Sequence, residues 1–275
     1  MRLYISHQTD YRFSQPQARL VQLLKMTPSS HYGQTVVDWR IDVDVDARLK
    51  NGRDGFGNET AMLYVDGPLD HISLSVTGEV LTDNRAGVVQ GSAEPLPPLL
   101  FTRSTRLTEP SEAIAAFARE IGGTDPLDRM HRLNDALHAR IRFDPGSGSS
   151  EGDAATAFES GIGVGQDMAH IFIAAARDLG VPARYVSGHL FRRDEADGCR
   201  HEAAHAWAEA HVDDYGWIGF DPANGRCPDD AYVRVATGLD YRDAAPVSGM
   251  RIGGGIEAMA VGVRVGLSDT IPQQD

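Results

Sequence analysis

Hydrophobic and polar residues alternate with a period of two through much of the first 94 positions, which is typical of β-strands with one buried face. The clearest runs are residues 9–13, 36–43 and 71–76. Turn-forming Asn-Gly and Asp-Gly pairs at 51–52 and 66–67 lie between them, as they do between antiparallel strands. Many short strands separated by such turns predict a β-sandwich-like N-terminal domain.

Beyond residue 109 the hydrophobic residues recur every three or four positions, which is the period of amphipathic helices. The strongest pattern begins at Met168 and ends before Gly180, a residue type favoured just after helices, and Pro182, which cannot continue one. After it the period returns to two. The predicted helices are residues 110–121, 127–141, 154–158 and 168–179, and the predicted strands are residues 183–191, 203–212, 217–221, 232–236 and 256–265.

Three closely spaced prolines, Pro95, Pro97 and Pro98, lie between the two patterns. Their rings fix φ, and they cannot continue a helix or a central strand, so this segment predicts a stiff linker. A length of 275 residues is about twice the usual size of one domain. The sequence therefore predicts an N-terminal β domain over residues 1–94 and a second domain over residues 95–275.

The composition narrows the range of partners and locations. Hydrophobic residues make up 41% of the chain and charged residues 24%, both ordinary for a globular protein. A formal net charge of -13 would repel nucleic acids and anionic membranes, so neither is expected as a partner. No apolar run is long enough to span a membrane, and residues 1–7 lack the apolar core of a signal peptide, so we predict a cytoplasmic location. No cofactor is expected.

The glycine-rich segment 161–165 runs directly into the strongest predicted helix. The first backbone N–H groups of a helix have no partner within it, and they lie at the positive end of the helix dipole. This environment favours an anionic ligand or a nucleophile with a lowered pKa. Gly165, however, carries no side chain that could react.

Three stretches together resemble the transglutaminase-like superfamily: residues 161–170 (GIGVGQDMAH), 205–209 (HAWAE) and 216–222 (GWIGFDP). Near the N-terminus, residues 7–13 (HQTDYRF) and 54–58 (DGFGN) resemble the bacterial transglutaminase N-terminal domain. The superfamily has a papain-like fold and a Cys-His-Asp triad. The resemblance implies an α+β protein in which a β-sandwich-like domain precedes a papain-like core, made of a helical lobe and an antiparallel sheet.

By this resemblance His205 and Asp221 correspond to the His and Asp of the triad. Residues 163–167 read Gly-Val-Gly-Gln-Asp where the family has Gly-Val-Cys-Gln-Asp, so Gly165 takes the position of the nucleophile. Loss of a triad nucleophile lowers the reaction rate about 10⁶-fold in comparable enzymes. The resemblance therefore implies a nucleophile-deficient protein, a pseudoenzyme of the cysteine protease superfamily, that binds a peptide or protein amide group.

Four residues close to these positions are predicted to line the site: Gln166, Asp167, Trp207 and Trp217. Asp167 falls in the first turn of the predicted helix. A carboxylate there is favoured by the helix dipole and can accept a hydrogen bond from a free backbone N–H. We therefore expect Asp167 to form a hydrogen bond near the helix N-terminus.

The predicted strands that carry His205 and Asp221 are joined by a turn at residues 213–216, which makes them antiparallel neighbours. Pairing of His211 with Gly216 sets their predicted register. An Asp close to His205 Nδ1 would fix the imidazole tautomer and support the imidazolium, as a Cys-His or Ser-His base requires. A second interpretation, an inert hydrogen-bonded pair, stays open.

The chain has only two cysteines, Cys199 and Cys227, too few for a disulfide framework. The same register places Cys199 opposite Pro228 and so near Cys227. Two free thiols are the favoured interpretation, while a disulfide, a zinc site that includes His201, or a displaced thiol serving His205 stay open. The alternative function is therefore an active cysteine peptidase, amidase or transamidase that uses Cys199, Cys227 or a water activated by His205.

Overall fold

The structure is a computed structural model, and it describes residues 1–146, 152–192 and 204–268. Two antiparallel sheets dominate these residues, one of six strands and one of five, and five α-helices accompany them. The predicted α+β class is thus confirmed. None of the helices in the described ranges has both the length and the apolar character needed to cross a membrane.

The six-stranded sheet is built on a long strand pair, β1 (Arg2–Thr27) and β4 (Glu59–Thr82), which run antiparallel and are paired along most of their length. β2 (Gln34–Val43) and β3 (Arg48–Arg53) both pair with β4 and extend the sheet beyond it. The register of the β1–β4 pair shifts between residues 12 and 19 of β1, which divides the pair into two halves.

Side chains from both halves of the β1–β4 pair share one hydrophobic core. Tyr11 and Ile72 come from one half, Leu24 and Leu63 come from the other, and all four are buried. Each large apolar side chain removed from water contributes roughly 1.5–3 kcal/mol. The two halves therefore pack against each other in the sandwich-like manner that the alternating pattern predicts.

The five-stranded sheet contains most of the strands that follow residue 180. Numbered along the chain, its strands are β5 (Val88–Val89), β8 (Ala183–Leu190), β9 (His205–Val212), β10 (Gly216–Phe220) and β11 (Tyr232–Gly238). They stand side by side in the order β11, β8, β9, β10, β5, and all neighbouring pairs are antiparallel.

The helices agree with the predicted ones to within a few residues, except for the short last one, which the sequence did not predict. A separate parallel pair of very short strands, β6 (Arg142–Phe143) and β7 (Ile162–Gly163), lies among them. The helices are α1 (Glu112–Glu120), α2 (Pro126–Arg140), α3 (Ala154–Ser160), α4 (Gly165–Asp178) and α5 (Tyr241–Ala244).

Helix α4 lies at the centre of the second core, and nearly all of its residues are buried. It packs against β9, where Ala206, Ala208 and Ala210 present small side chains that allow the helix to come close. At its far end the buried Arg177 donates hydrogen bonds to three backbone carbonyls, and Gly180 ends the helix in the left-handed region with φ of 78°. These contacts fix the first turn of α4 relative to β9.

Strand pairing crosses the predicted domain boundary at residues 94 and 95 in both directions. β12 (Val247–Ile252) and β13 (Glu257–Leu267) pair with β1 and complete the N-terminal sheet. β5 comes from the first 94 residues but pairs with β10. The prediction placed every residue after 95 in the second domain and did not include β12. Alternation identifies a strand, but the residues that would show which strand it pairs with lie far away in the chain.

Buried polar contacts join the two sheets. The Asn58 side chain donates to the carbonyl of Thr237 and accepts from its N–H, at 2.7 and 2.8 Å. Gln34 makes the same pair of hydrogen bonds with the backbone of Arg234. Because buried polar groups are costly to leave unpaired, these contacts hold β11 in a defined place against the N-terminal sheet.

Candidate active site

His205 begins β9 and Asp221 directly follows β10. The two residues therefore lie at the same end of the hairpin that β9 and β10 form. His205 Nε2 is 2.7 Å from Asp221 Oδ2, and the two side chains are 13% and 0% exposed. The prediction of a contact through Nδ1 is wrong. Asp221 lies one residue beyond the last paired residue of β10, and its carboxylate meets the ring nitrogen that is farther from the His205 backbone.

The Asp221 carboxylate is held by several further donors. Tyr232 Oη and Asn224 Nδ2 donate to Oδ2 at 2.7 and 2.6 Å. The backbone N–H groups of Ala223 and Asn224 donate to Oδ1 at 3.0 and 3.2 Å. Burial alone would raise the pKa of the Asp221 carboxyl, but His205, Asn224 and Tyr232 outweigh burial and lower that pKa. Asp221 is therefore an oriented anion.

The other ring nitrogen of His205 faces the start of α4. Since Asp221 accepts from Nε2, the neutral imidazole carries its proton there, and Nδ1 keeps a free lone pair. A Cβ placed on Gly165 would lie 3.6 Å from His205 Nδ1 and 3.4 Å from the carbonyl oxygen of Ala206, both ordinary contact distances. The structure thus has room for a side chain at residue 165 that would face a basic nitrogen, and glycine leaves that room unfilled.

The two residues after Gly165 have different surroundings. Asp167 is buried, and its Oδ2 accepts a hydrogen bond from the N–H of Val164 at 3.0 Å, the contact expected of a carboxylate in the first helical turn. Burial raises the pKa of Asp167, and the Val164 N–H only partly offsets this. Gln166 has a buried Nε2 without a partner among the described residues, so its amide is a candidate donor to a ligand.

The two tryptophans predicted to line the site lie in different places. The Trp207 ring stacks beside His205 with centroids 6.1 Å apart and an angle of 28°. The Trp217 ring instead lies 3.8 Å from the guanidinium carbon of the buried Arg184, and 5.3 Å from the ring of His211. Trp207 thus lies beside His205, and Trp217 belongs to a structural cluster near the turn of the hairpin.

The register of the β9–β10 hairpin explains the position of Trp217 and differs from the predicted one by a residue. Gly216 pairs with Val212 rather than with His211, and Trp217 pairs with His211, at the end of the hairpin away from His205. The turn has three residues, and Asp214 in it adopts a left-handed conformation with φ of 73°. Asp, Tyr and Gly all occur in such turns, so the sequence alone did not distinguish the two registers.

Cys227 belongs to a separate pair. Its Sγ lies 3.9 Å from Nδ1 of His131 on α2. Burial, and then the nearby carboxylate of Asp135, raise the pKa of the Cys227 thiol to about 11. In the described ranges no three His, Cys, Asp or Glu side chains are grouped closely enough to hold a metal ion. Cys199 and His201 lie outside the described residues, and so do the predictions of a disulfide or zinc site that depend on them.

Sequence reasoning missed two residues of this site, Asn224 and Tyr232. Asn224 follows Asp221 by three positions in the segment Asp-Pro-Ala-Asn-Gly, where an Asp side chain commonly accepts from backbone N–H groups further along the turn. That local signal could have identified it. Tyr232 comes from β11, on the far side of β8 in the sheet, and no local pattern connects it with Asp221.

Comparison with known proteins gives the family. Residues 115–222 match the profile of the transglutaminase-like superfamily core, and residues 3–81 match the bacterial transglutaminase-like N-terminal region. The chain thus combines a bacterial transglutaminase-like N-terminal region with a core of the transglutaminase-like superfamily.

Relatives of the whole chain are known from mycobacteria. An uncharacterized protein of Mycobacterium leprae is 26% identical over 96% of this chain and 98% of its own length. One from Mycobacterium tuberculosis is 25% identical over 90% of this chain and 87% of its own length. Among solved structures, a candidate cysteine protease from Cytophaga hutchinsonii matches with a TM-score of 0.77 at 21% identity, covering 99% of this chain and 92% of that one. This likeness shows a shared fold.

Proposed function

We propose that this protein is a nucleophile-deficient member of the superfamily that binds a peptide or amide group at the start of α4. The observation that carries the proposal is the pairing of a basic nitrogen with an empty position: His205 Nδ1 faces Gly165, which has no side chain. The sulfur of Cys227 does not replace it, because that thiol is paired with His131 and has a raised pKa.

An amide ligand suits the hydrogen-bonding groups at this position. A peptide group offers one N–H donor and one carbonyl acceptor. His205 Nδ1 accepts, and the N–H groups of the first turn of α4, which have no partner within the helix, donate. Gln166 Nε2, which has no partner among the described residues, is a further donor. Trp207 beside the imidazole supplies an apolar wall. The predicted cytoplasmic location and the expected lack of a cofactor remain predictions.

A second function is favoured by the way in which Asp221 orients His205. An imidazole oriented by an anchored carboxylate is the arrangement of a general base, and a water molecule in the position of the missing side chain would be its substrate. The protein would then be a slow amidase or peptidase that uses activated water. Both functions would use the same residues, and they differ in whether the bound amide is hydrolysed.

The test compares the wild type, Gly165→Cys and His205→Ala with a panel of peptides that carry glutamine or C-terminal amides. Binding is measured by Trp fluorescence, and products and covalent adducts by mass spectrometry. We expect the wild type to bind without turnover, and Gly165→Cys to gain the mass of an acyl group. Wild-type turnover that disappears in His205→Ala would replace binding with water-activated hydrolysis. If no variant binds or is acylated, both functions are rejected.

A further inference from the structure

We propose that Tyr232, supported by Arg226, is a positioning residue that fixes the Asp221 carboxylate and, through it, the orientation of His205. The inference rests on the proposed function, because it assigns a role in the same site. It concerns a residue that neither the motifs nor the resemblance brought to the site.

The hydroxyl of Tyr232 contacts the same oxygen that holds the imidazole. Tyr232 Oη and His205 Nε2 each lie 2.7 Å from Asp221 Oδ2. Tyr232 is 5% exposed, so water does not substitute easily for this contact. A hydrogen bond from a neutral donor to a buried carboxylate is among the stronger kinds in proteins. The carboxylate therefore cannot rotate without losing it.

Tyr232 is the donor that ties the carboxylate to the sheet. The other donors to Asp221 besides His205 come from Ala223 and Asn224, which follow it in the same loop and would move with it. Tyr232 lies on β11, which pairs with β8, and the contacts of β11 with the N-terminal sheet hold it in place. Its hydroxyl is thus the fixed point from which the loop is positioned.

Arg226 directs the hydroxyl proton toward Asp221. Arg226 Nε donates to Tyr232 Oη at 3.1 Å, and its guanidinium lies 5.3 Å from the centre of the Tyr232 ring. Because the Arg226 guanidinium donates to a lone pair of Tyr232 Oη, the hydroxyl proton points to the Asp221 carboxylate instead. Arg226 is itself fixed by two backbone hydrogen bonds with Asp221, at 2.8 and 3.2 Å, which close the loop between them.

The ring of Tyr232 has a second role that must be kept separate in a test. It meets the Trp207 ring edge-on at 5.5 Å and lies 5.9 Å from the His205 ring. Tyr232→Phe keeps this packing and removes only the hydroxyl, so it isolates the contact with Asp221. A matched control is Tyr11→Phe, since Tyr11 is equally buried at 5% but lies on β1 in the N-terminal sheet, away from Asp221.

The experiment uses Gly165→Cys in a chain that also carries Cys199→Ser and Cys227→Ser, so that the installed thiol is the only one. Its alkylation by iodoacetamide is measured at pH 6, where ionisation depends on His205, and at pH 9, where the thiol ionises without help. We expect Tyr232→Phe to lower the pH 6 rate about tenfold, the equivalent of one hydrogen bond to a charged group, and to leave the pH 9 rate unchanged. Arg226→Gln should lower the pH 6 rate about threefold.

A second measurement does not depend on residue 165. In the otherwise wild-type chain, NMR of the imidazole nitrogens follows exchange of the His205 Nε2 proton with water. We expect Tyr232→Phe to speed this exchange at least about fivefold and Tyr11→Phe to leave it unchanged. Equal exchange in the two variants, or equal loss of the pH 6 and pH 9 rates in Tyr232→Phe, would overturn the positioning role. A thiol at residue 165 that is unreactive at pH 6 would instead contradict the pairing of His205 Nδ1 with residue 165 on which the proposed function rests, and the exchange rates would still decide the role of Tyr232.

Discussion

His205 and His131 each face a position where a thiol could act as a nucleophile, but the two surroundings are opposite. His205 is oriented by the anchored Asp221 and faces Gly165, where the sulfur is missing. His131 has a sulfur, that of Cys227, 3.9 Å away, but burial and Asp135 raise the pKa of this thiol. One site has the activating groups without the thiol, and the other has the thiol without the activating groups.

The comparison shows that closeness of Cys and His does not by itself make a nucleophile. A thiol is ionised where positive charge outweighs the cost of burial, as at a helix N-terminus beside an imidazolium. At Cys227 burial dominates, and the Asp135 carboxylate adds a negative charge that raises the thiol pKa further. Moving the thiol, removing the orienting acid, and changing the charge and the aromatic rings nearby would each test this difference.

The largest effect is expected from moving the thiol to residue 165. Cys227, with a pKa of about 11, is ionised in only about one molecule in 10⁵ at pH 6. The thiol installed by Gly165→Cys would lie beside His205 Nδ1 at the start of α4 and be largely ionised. Allowing for the lower intrinsic nucleophilicity of a low-pKa thiolate, we expect alkylation at pH 6 at least about a hundredfold faster than at Cys227. Peptide mass spectrometry measures both rates.

Ser160→Cys is the control for this comparison, because it places an exposed thiol at the C-terminal end of α3, only five residues away. It should react slowly at pH 6, as an ordinary thiol does. Similar rates for Ser160→Cys and Gly165→Cys would show that His205 and the helix start do not activate a thiol at residue 165.

The next largest effect is expected from removing the acid that orients His205. Asp221→Asn, combined with Gly165→Cys, keeps the size of the side chain but cannot support an imidazolium. We expect the alkylation rate at pH 6 to fall at least about tenfold, because the thiolate–imidazolium pair loses its stabilising charge. Asp128→Asn on the exposed surface of α2 is the control and should have no effect. An unchanged rate in Asp221→Asn would mean that Asp221 only holds the loop.

A smaller effect is expected at Cys227, where the sign follows from the raised pKa. A raised thiol pKa means that the neutral form persists to high pH, so alkylation of Cys227 in the wild type should rise about tenfold per pH unit until near pH 11. Asp135→Asn removes the negative charge that is the second cause of the shift. It should speed alkylation at pH 8 about two- to threefold. A plateau of the wild-type rate below pH 9 would contradict this account.

The sequence predicted the local parts of the fold well and the long-range parts poorly. Helix α4 and strands β8 to β11 have strong periodic patterns with glycine or proline at their ends, and they lie where these patterns predict. The pairing of β12 and β13 with β1 joins residues more than 220 positions apart, and no local pattern records it. The predicted boundary therefore divides strands that share a sheet.

The same distinction holds for the candidate site. The motifs predicted that Gly165, His205 and Asp221 would meet, and the structure brings them together, although their chemical roles remain a proposal. The contact through Nε2 was not predicted, because the sequence does not record how the imidazole is turned between Gly165 and Asp221. Tyr232 was missed because its contact with Asp221 is made across the sheet rather than along the chain.

The smallest effect separates the two tryptophans. Trp207→Phe removes part of the ring that stacks beside His205, and we expect a two- to threefold loss of the pH 6 rate in the Gly165→Cys chain, about the scale of one aromatic contact. Trp217→Phe weakens the contact with Arg184 at the other end of the hairpin and should leave this rate unchanged while lowering the thermal unfolding midpoint. Since both tryptophans lie on one hairpin, a loss of rate in Trp217→Phe would show that the turn end of the hairpin also positions His205, and the difference drawn here between a site residue and a structural one would fail.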